Sequence, residues 1–194
     1  MKSKKLTRYA VISAIVFAGF ALDTIFQNVF PFTPAVVSLI AVMTICLASS
    51  IKESVFAGFI FGVFSLLRAV VIPSIAGTLL LANFWTSFMN PLVSVLPRIC
   101  IGLVAWSVNS LLKKPIKSTY GSGVLASIAG VLTNTLTVCI VLFIMNTLTT
   151  PNFDMLGFVY GFFTINFIFE VVITALVAPL IAIGVKRSGY FGGN

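Results

Sequence analysis

The sequence predicts an all-α integral membrane protein with six transmembrane helices and both termini in the cytoplasm. Three observations carry that reading. Of 194 residues, 59% are hydrophobic and only 8% charged, against about 25% charged in an ordinary soluble domain, and the mean hydropathy is +1.16. Uncharged apolar runs recur along the whole length, and at roughly 20 residues per span there is room for about six, with no separate water-soluble domain. The third observation is charge placement: 12 Lys and Arg stand against 4 acidic residues, a net charge of +8, and nearly all the basic residues lie between the runs rather than inside them. Residues 1–194 are therefore expected to form a single six-helix transmembrane domain.

The first run, Tyr9 to Phe26, follows Lys2, Lys4, Lys5 and Arg8. A cleavable signal peptide would show a small-x-small cleavage pattern and then a polar start; neither occurs near Ala18 to Leu22, so the run reads as the first helix. Pro34 to Ser49 and Ser54 to Ile72 read as the second and third. The stretch Ser74 to Met89 is uncharged but interrupted by Gly77, Asn83, Trp85 and Thr86 and bracketed by Pro73 and Pro91. If it crossed the membrane, Lys113, Lys114 and Lys117 would lie opposite the basic amino terminus, which the positive-inside rule disfavours. It is expected to be an outer loop, with Phe84 and Trp85 suited to an interface. Leu92 to Leu112, Gly121 to Met145 and Gly157 to Val185 complete the six. Lys2, Lys4, Lys5, Arg8, Lys52, Lys113, Lys114, Lys117, Lys186 and Arg187 then share the cytoplasmic side, and Asp23 and Asp154 fall on the other.

Two basic residues do not fit that pattern, Arg68 in the third span and Arg98 in the fourth, both expected at similar depth in the outer part. Glu170 lies near the middle of the sixth span with Asn166 one turn away on the same face, and Asn134 lies in the outer half of the fifth. Charges in a bilayer cost several kcal/mol and face a partner or a cavity. One reading is a structural Arg–Glu pair. The other starts from the count of Arg68, Arg98 and Glu170: one acid leaves one positive charge over, and an anionic ligand such as a carboxylate would complete it. Asn134, Asn166, Thr133, Thr137 and Ser94 would supply uncharged hydrogen bonds. Arg68 has the alternative of snorkelling to the headgroups. Pro97, just before Arg98, removes a backbone hydrogen bond and frees a carbonyl, a break that suits a cavity. Pro179 reads as a lipid-facing kink. Ala10, Ala14 and Ala18, at i, i+4 and i+8, make a smooth stripe for close helix approach, either within the bundle or against a partner.

Several chemistries are excluded. Histidine is absent, which removes the usual general base and with it Ser–His hydrolysis. Cys46, Cys100 and Cys139 are too scattered for a disulfide framework or a metal site. An intramembrane enzyme would need paired carboxylates, and the basic residues are not clustered as nucleic-acid binding requires. A channel or scaffold remains as an alternative; a channel would carry a continuous polar line, whereas the cytoplasmic halves of the spans read as nearly all apolar.

The size, the six spans, the basic amino terminus, the stripe Ala10-x-x-x-Ala14-x-x-x-Ala18 and the stretch Asn90-Pro91-Leu92-Val93-Ser94-Val95-Leu96-Pro97-Arg98 together resemble the S component of energy-coupling factor vitamin transporters. The Asn-Pro…Pro-Arg stretch is similar to the subgroup associated with pantothenate. The resemblance implies a non-catalytic subunit of a bacterial plasma-membrane importer. Such a subunit captures a vitamin outside with high affinity and topples when docked on the transmembrane T component. Two separate ATPase subunits use ATP and Mg, and this chain itself carries no cofactor. The alanine stripe would face the T component. The site would lie in the outer half, covered by Gln27 to Pro34 and Ser74 to Pro91. The substrate-binding residues would be Arg98 for a carboxylate, Asn134 and Asn166 for amide or hydroxyl groups, and Glu170 to orient Arg98, with Arg68, Ser94 and Asn90 nearby. Trp85, Phe84 and Phe88 would form a lid or serve as interface anchors. Another anionic vitamin such as folate is the alternative substrate.

Overall fold

The structure, a computed structural model, describes residues 2–29, 36–71, 90–149 and 165–191, and every regular element among them is a helix. In chain order these are α1 (Lys2–Val29), α2 (Val36–Ala48), α3 (Ile51–Val71), α4 (Pro91–Ser94), α5 (Leu96–Leu112), α6 (Thr119–Thr149) and α7 (Ile165–Arg187). Among the described residues, five helical stretches are long and apolar enough to cross a membrane: α1, α3, α4 continued by α5, α6 and α7. The chain is thus a multi-pass membrane protein by length and composition. The expected boundaries hold to within about four residues except at the first helix, expected from Tyr9 but starting at Lys2, and at the last, expected from Gly157. There the described helix begins at Ile165, and residues 157–164 lie outside the described residues, as does the expected outer loop 74–89.

Contacts fix the directions of the helices. Tyr9 packs on Phe56 and Phe17 on Phe64, so α1 and α3 run parallel. Gly102 abuts Ser54, Gly58 abuts Arg98 and Gly62 abuts Val95, so α3 and α5 run antiparallel. Asn109 meets Ser122 and Gly123 meets Pro179, which makes α6 antiparallel to both α5 and α7. One end of the bundle therefore gathers Lys4, Lys5, Arg8, Lys52, Lys113, Lys114, Lys117, Lys186 and Arg187. Val71 and Asn90, which flank the stretch whose crossing the charge pattern disfavours, both lie at the opposite end.

α2 has 13 residues, about 20 Å of helix, shorter than the roughly 30 Å hydrocarbon core. It is buried almost all round, with Leu39, Val42, Met43, Ile45, Cys46 and Leu47 each at most 3% exposed, and it packs on α1, α3, α5, α6 and α7. A buried helix leaves orphan N–H groups at its start and orphan carbonyls at its end. Neighbouring helices supply the partners. At the start, the amides of Val37 and Ser38 donate to the two carboxylate oxygens of Asp23 at 3.0 and 2.7 Å, and the Ser38 hydroxyl donates to the same group. At the end, Asn109 Nδ2 donates to Leu47 O at 3.2 Å and Trp106 Nε1 to Ser49 O at 3.1 Å. Asp23 is 2% exposed and Asn109 2%. The negative carboxylate also sits where the helix dipole is positive.

α3 begins with a second helix-start device. Ser50 and Glu53 stand at the spacing of a capping box: the Ser50 amide and hydroxyl donate to Glu53 Oε2 at 3.0 and 2.9 Å, and Arg8 of α1 lies 3.7 Å from Glu53 Oε1. Farther along, Ser54, Gly58 and Gly62 at i, i+4 and i+8 form the face that meets α5. A Cβ added at Gly58 would collide with the Arg98 carbonyl oxygen, one at Gly102 with that of Ser54, and one at Gly62 would come within 2.8 Å of Val95 Cα. These backbones touch directly, the approach that small residues permit between membrane helices. Pro179 is fully buried against Gly123 and Leu47. This corrects the lipid-facing kink expected from the sequence: Gly123 lacks the side chain that would exclude the proline ring, so the ring packs inward.

Removing the Asp23 carboxylate should expose the cost of two orphan amides in a dry helix start. Asp23→Ala is expected to destabilise the chain by about 2–4 kcal/mol, the sum for charge-assisted bonds to buried donors, read as thermal unfolding in detergent. Gly102→Ala should cost about 1–3 kcal/mol through overpacking, while Gly184→Ala, whose Cβ would meet nothing within 4 Å, should leave the melting temperature unchanged or slightly raised.

Candidate functional site

Pro97 has no N–H, so the carbonyl four residues earlier, that of Val93, loses its helical donor. The hydrogen-bond path continues on either side, Val95 N to Pro91 O at 2.7 Å and Ile99 N to Val95 O at 3.1 Å. The gap at Val93 is filled from the side chain: Arg98 Nη1 donates to Val93 O at 3.1 Å. Pro97 is itself fully buried and stands in the first turn of α5, where a missing N–H is tolerated best. The proline creates an acceptor and the next residue satisfies it. Asn90 performs the matching task at the start of α4, accepting from the Leu92 amide at 3.0 Å. Asn90, Ser94 and Arg98 follow one another at helical i, i+4 and i+8 spacing; Asn90 and Ser94 are buried and Arg98 is half-buried.

Around the Arg98 guanidinium, the Phe61 ring centroid lies 5.9 Å away, within cation–π range, and the Glu170 charge acts on it. Measured from the contact between Asn109 and Ser122, Arg98 is 11 residues along α5 and Asn134 is 12 along α6, about 17 Å in each case. Glu170 is 9 residues along α7 from Pro179, and Asn134 is 11 along α6 from Gly123, so α7 brings its acid to within about a turn of that level. Asn134 Oδ1 is buried and accepts no hydrogen bond from the described residues. Thr133 turns its hydroxyl to its own helix, donating to Ala129 O at 2.7 Å. Arg98, Asn134 and Glu170 thus share one polar level, in the half of the bundle away from the basic end. The backbone of Asn166 lies at the start of α7; its side chain lies outside the described residues, as do Trp85, Phe84 and Phe88.

Arg68 does not belong to that level. Gly58, not Arg68, is the α3 residue opposite Arg98, and Arg68 is 10 residues farther along α3, about 15 Å of rise. The expectation of similar depth is therefore corrected. Arg68 is half-buried and lies in the field of Asp23. Asp23, assigned from the sequence to the outer side, is buried among the helices and adds a second carboxylate to the charge count: Arg68 lies in the field of Asp23 and Arg98 in that of Glu170. The basic half is not purely apolar either: Glu53, Asn109 and Ser122 are buried there. They serve the ends of α2 and α3, Ser122 donating to Asn109 Oδ1 at 3.3 Å, and Thr44, Ser127, Thr135 and Thr174 are further polar residues buried in the bundle.

The alanine stripe lies on the outside. Ile12, Val16 and Asp23 turn inward and are buried, while Ala10, Ala14 and Ala18 are all exposed on another side of α1. Packing among the described residues therefore does not account for them. The stripe that does pack within the bundle, Ser54, Gly58 and Gly62, was present in the sequence as the same small-x-x-x-small spacing. Ser50-x-x-Glu53 was legible as a capping box. Asn109 carried no local signal, because its partner is a carbonyl 62 residues away.

The chain matches no protein-family model and no curated protein. The site therefore stands on its own geometry. That geometry couples Pro97 and Arg98 through one carbonyl. In a double-mutant cycle, Pro97→Ala should supply an amide to Val93 O and reduce the stability cost of Arg98→Ala. A coupling of about 0.5–1.5 kcal/mol is expected, the net value of one hydrogen bond. Additive losses in thermal unfolding would show that Arg98 holds no share in closing this break.

Proposed function

We propose that the chain is the substrate-binding S component of an energy-coupling factor importer, with a pantothenate-like vitamin as its substrate. On this reading six helices cross a bacterial plasma membrane with α2 as a short central span, and the basic end faces the cytoplasm, as the positive-inside rule requires. The observation that carries the proposal is the outward exposure of Ala10, Ala14 and Ala18. A membrane helix that turns a smooth alanine face away from its own bundle offers that face to another helix, and the resemblance assigns it to the T component. ATP hydrolysis belongs to two partner ATPases.

The polar level supports a small ligand with hydrogen-bonding groups on an apolar body. Asn134 Oδ1 offers an acceptor to a ligand hydroxyl or amide N–H, and Arg98 brings a positive charge to the same level. With Glu170 balancing Arg98, a ligand carboxylate would share the guanidinium with Glu170 rather than fill a vacancy. Specificity then rests on Asn134 as much as on charge.

Calorimetric titration of the purified chain in detergent with pantothenate, its neutral amide analogue and folate tests the substrate. Nanomolar to low-micromolar binding of pantothenate that is lost with the amide is expected; binding of folate alone would discard the pantothenate assignment, and no binding of any of the three would discard the site. Arg98→Gln keeps a donor for Val93 O and removes the charge, so it should weaken pantothenate by about 1.5–3 kcal/mol. Ala14→Trp should abolish assembly with the T component and leave the titration unchanged. Loss of ligand affinity in purified Ala14→Trp would place the stripe in internal packing.

A further inference from the structure

A groove of about 410 Å³ opens on the surface of the bundle near its basic end, lined by Tyr9 of α1, Lys52, Val55, Phe56 and Phe59 of α3, and Ile99 of α5. Its origin is the packing just described. The glycine contacts draw α5 tightly against one side of α3, the Tyr9–Phe56 edge contact at 4.8 Å props α1 on the other, and the α3 face between them is left uncovered. Phe59 is 43% exposed. We infer that this groove holds an anionic phospholipid, its acyl chain along the aromatic floor and its phosphate on Lys52.

Charge and position select the occupant. The walls are apolar along the span and carry a single cation, Lys52, which is exposed at the first turn of α3, where the helix leaves the membrane. The adjacent acid does not neutralise it: Glu53 is buried, accepts from Ser50 and faces Arg8 at 3.7 Å. An apolar slot ending in a lysine at the headgroup level matches a lipid with a negative headgroup, and basic pockets between membrane helices recognise such lipids. A partner helix fits less well. Its backbone would have to approach across Phe56 and Phe59, whereas close helix contacts are built on small residues. The groove is also distinct from the polar level at Arg98, and the inference does not depend on the vitamin reading.

Native mass spectrometry of the full chain released from detergent, with phosphatidylglycerol or phosphatidylcholine of identical acyl chains added, reads the affinity of the first bound lipid. Phosphatidylglycerol is expected to bind more tightly, and Lys52→Ala to weaken it roughly five-fold, towards the phosphatidylcholine value, as about one lysine's worth of attraction implies. Phe59→Ala should weaken both lipids. Lys117→Ala, at the same end but outside the groove, should change neither. Equal binding of the two lipids to the unaltered chain would overturn the inference and leave the groove to bulk lipid or a partner helix. A loss in Lys117→Ala equal to that in Lys52→Ala would also overturn it, by tracing the preference to diffuse surface charge.

Discussion

A helix that is buried along its whole length must have both its ends satisfied by side chains from elsewhere, and this requirement on α2 organises the bundle. In water the orphan amides and carbonyls of a helix end cost little, because solvent bonds to them; in the middle of an apolar bundle each one left over costs on the order of 1–3 kcal/mol. Asp23 answers for the amides of Val37 and Ser38, and Asn109 and Trp106 for the carbonyls of Leu47 and Ser49. The answers come from α1 at one end and from α5 at the other, and each works at one register only. Asp23 sets how far α1 slides against α2, and Asn109 with Ser122 sets α5 and α6 against its other end. In lipid, where apolar surface gains little by moving from hydrocarbon to protein, such directional bonds and close backbone contacts carry the specificity that a hydrophobic core would supply in water.

The same accounting explains why an arginine lies inside the membrane at all. Pro97 leaves Val93 O without its amide, and Arg98 returns a donor to it. Because the glycines of α3 admit the α5 backbone so closely, this break sits against α3, and Phe61 comes under the guanidinium. Glu170 from α7 acts on the same guanidinium through its charge. The two readings opposed at the level of sequence, an Arg–Glu pair and a polar site, are therefore not exclusive. At the same level Asn134 Oδ1 is buried and accepts no hydrogen bond from the described residues.

Five of the six expected spans were legible because hydropathy is a property of each segment alone: a run that must face lipid is apolar whatever its neighbours are. The polar groups that matter were legible only in part, because their partners are set by register between segments. Arg98 and Glu170 stand out in an apolar background, and so did Asn134. Asp23 also stands out, but near the end of a run it reads as an outer boundary charge, and only the packing of α1 against the start of α2 makes it a cap. The depth of Arg68 was misjudged for the same reason: counting from helix ends assumes equal offsets, and the glycine contacts shift α5 along α3. Pro179 was misplaced because the space for it is made by Gly123 on another helix.

Two stripes of small residues at the same i, i+4, i+8 spacing meet opposite fates, and their composition accounts for the difference. Gly58 and Gly62 face α5, where a Cβ would strike backbone atoms, so that contact is built inside the distance any side chain allows and cannot be loosened without losing it. Ala10, Ala14 and Ala18 keep their Cβ atoms, which hold a neighbouring helix slightly farther off, and the exposed Phe17 stands beside them. Contact on alanine is therefore closer than contact on leucine and less interlocked than contact on glycine. The alanine face has no counterpart among the described residues, whereas the glycine face is a seam that holds two helices of the same bundle in register. The chain uses the second kind where two of its own helices must keep register around Arg98. It leaves the first kind exposed on the helix whose other side is pinned to α2 by Asp23, so that a partner engaging the stripe would press on a helix anchored to the rest of the bundle.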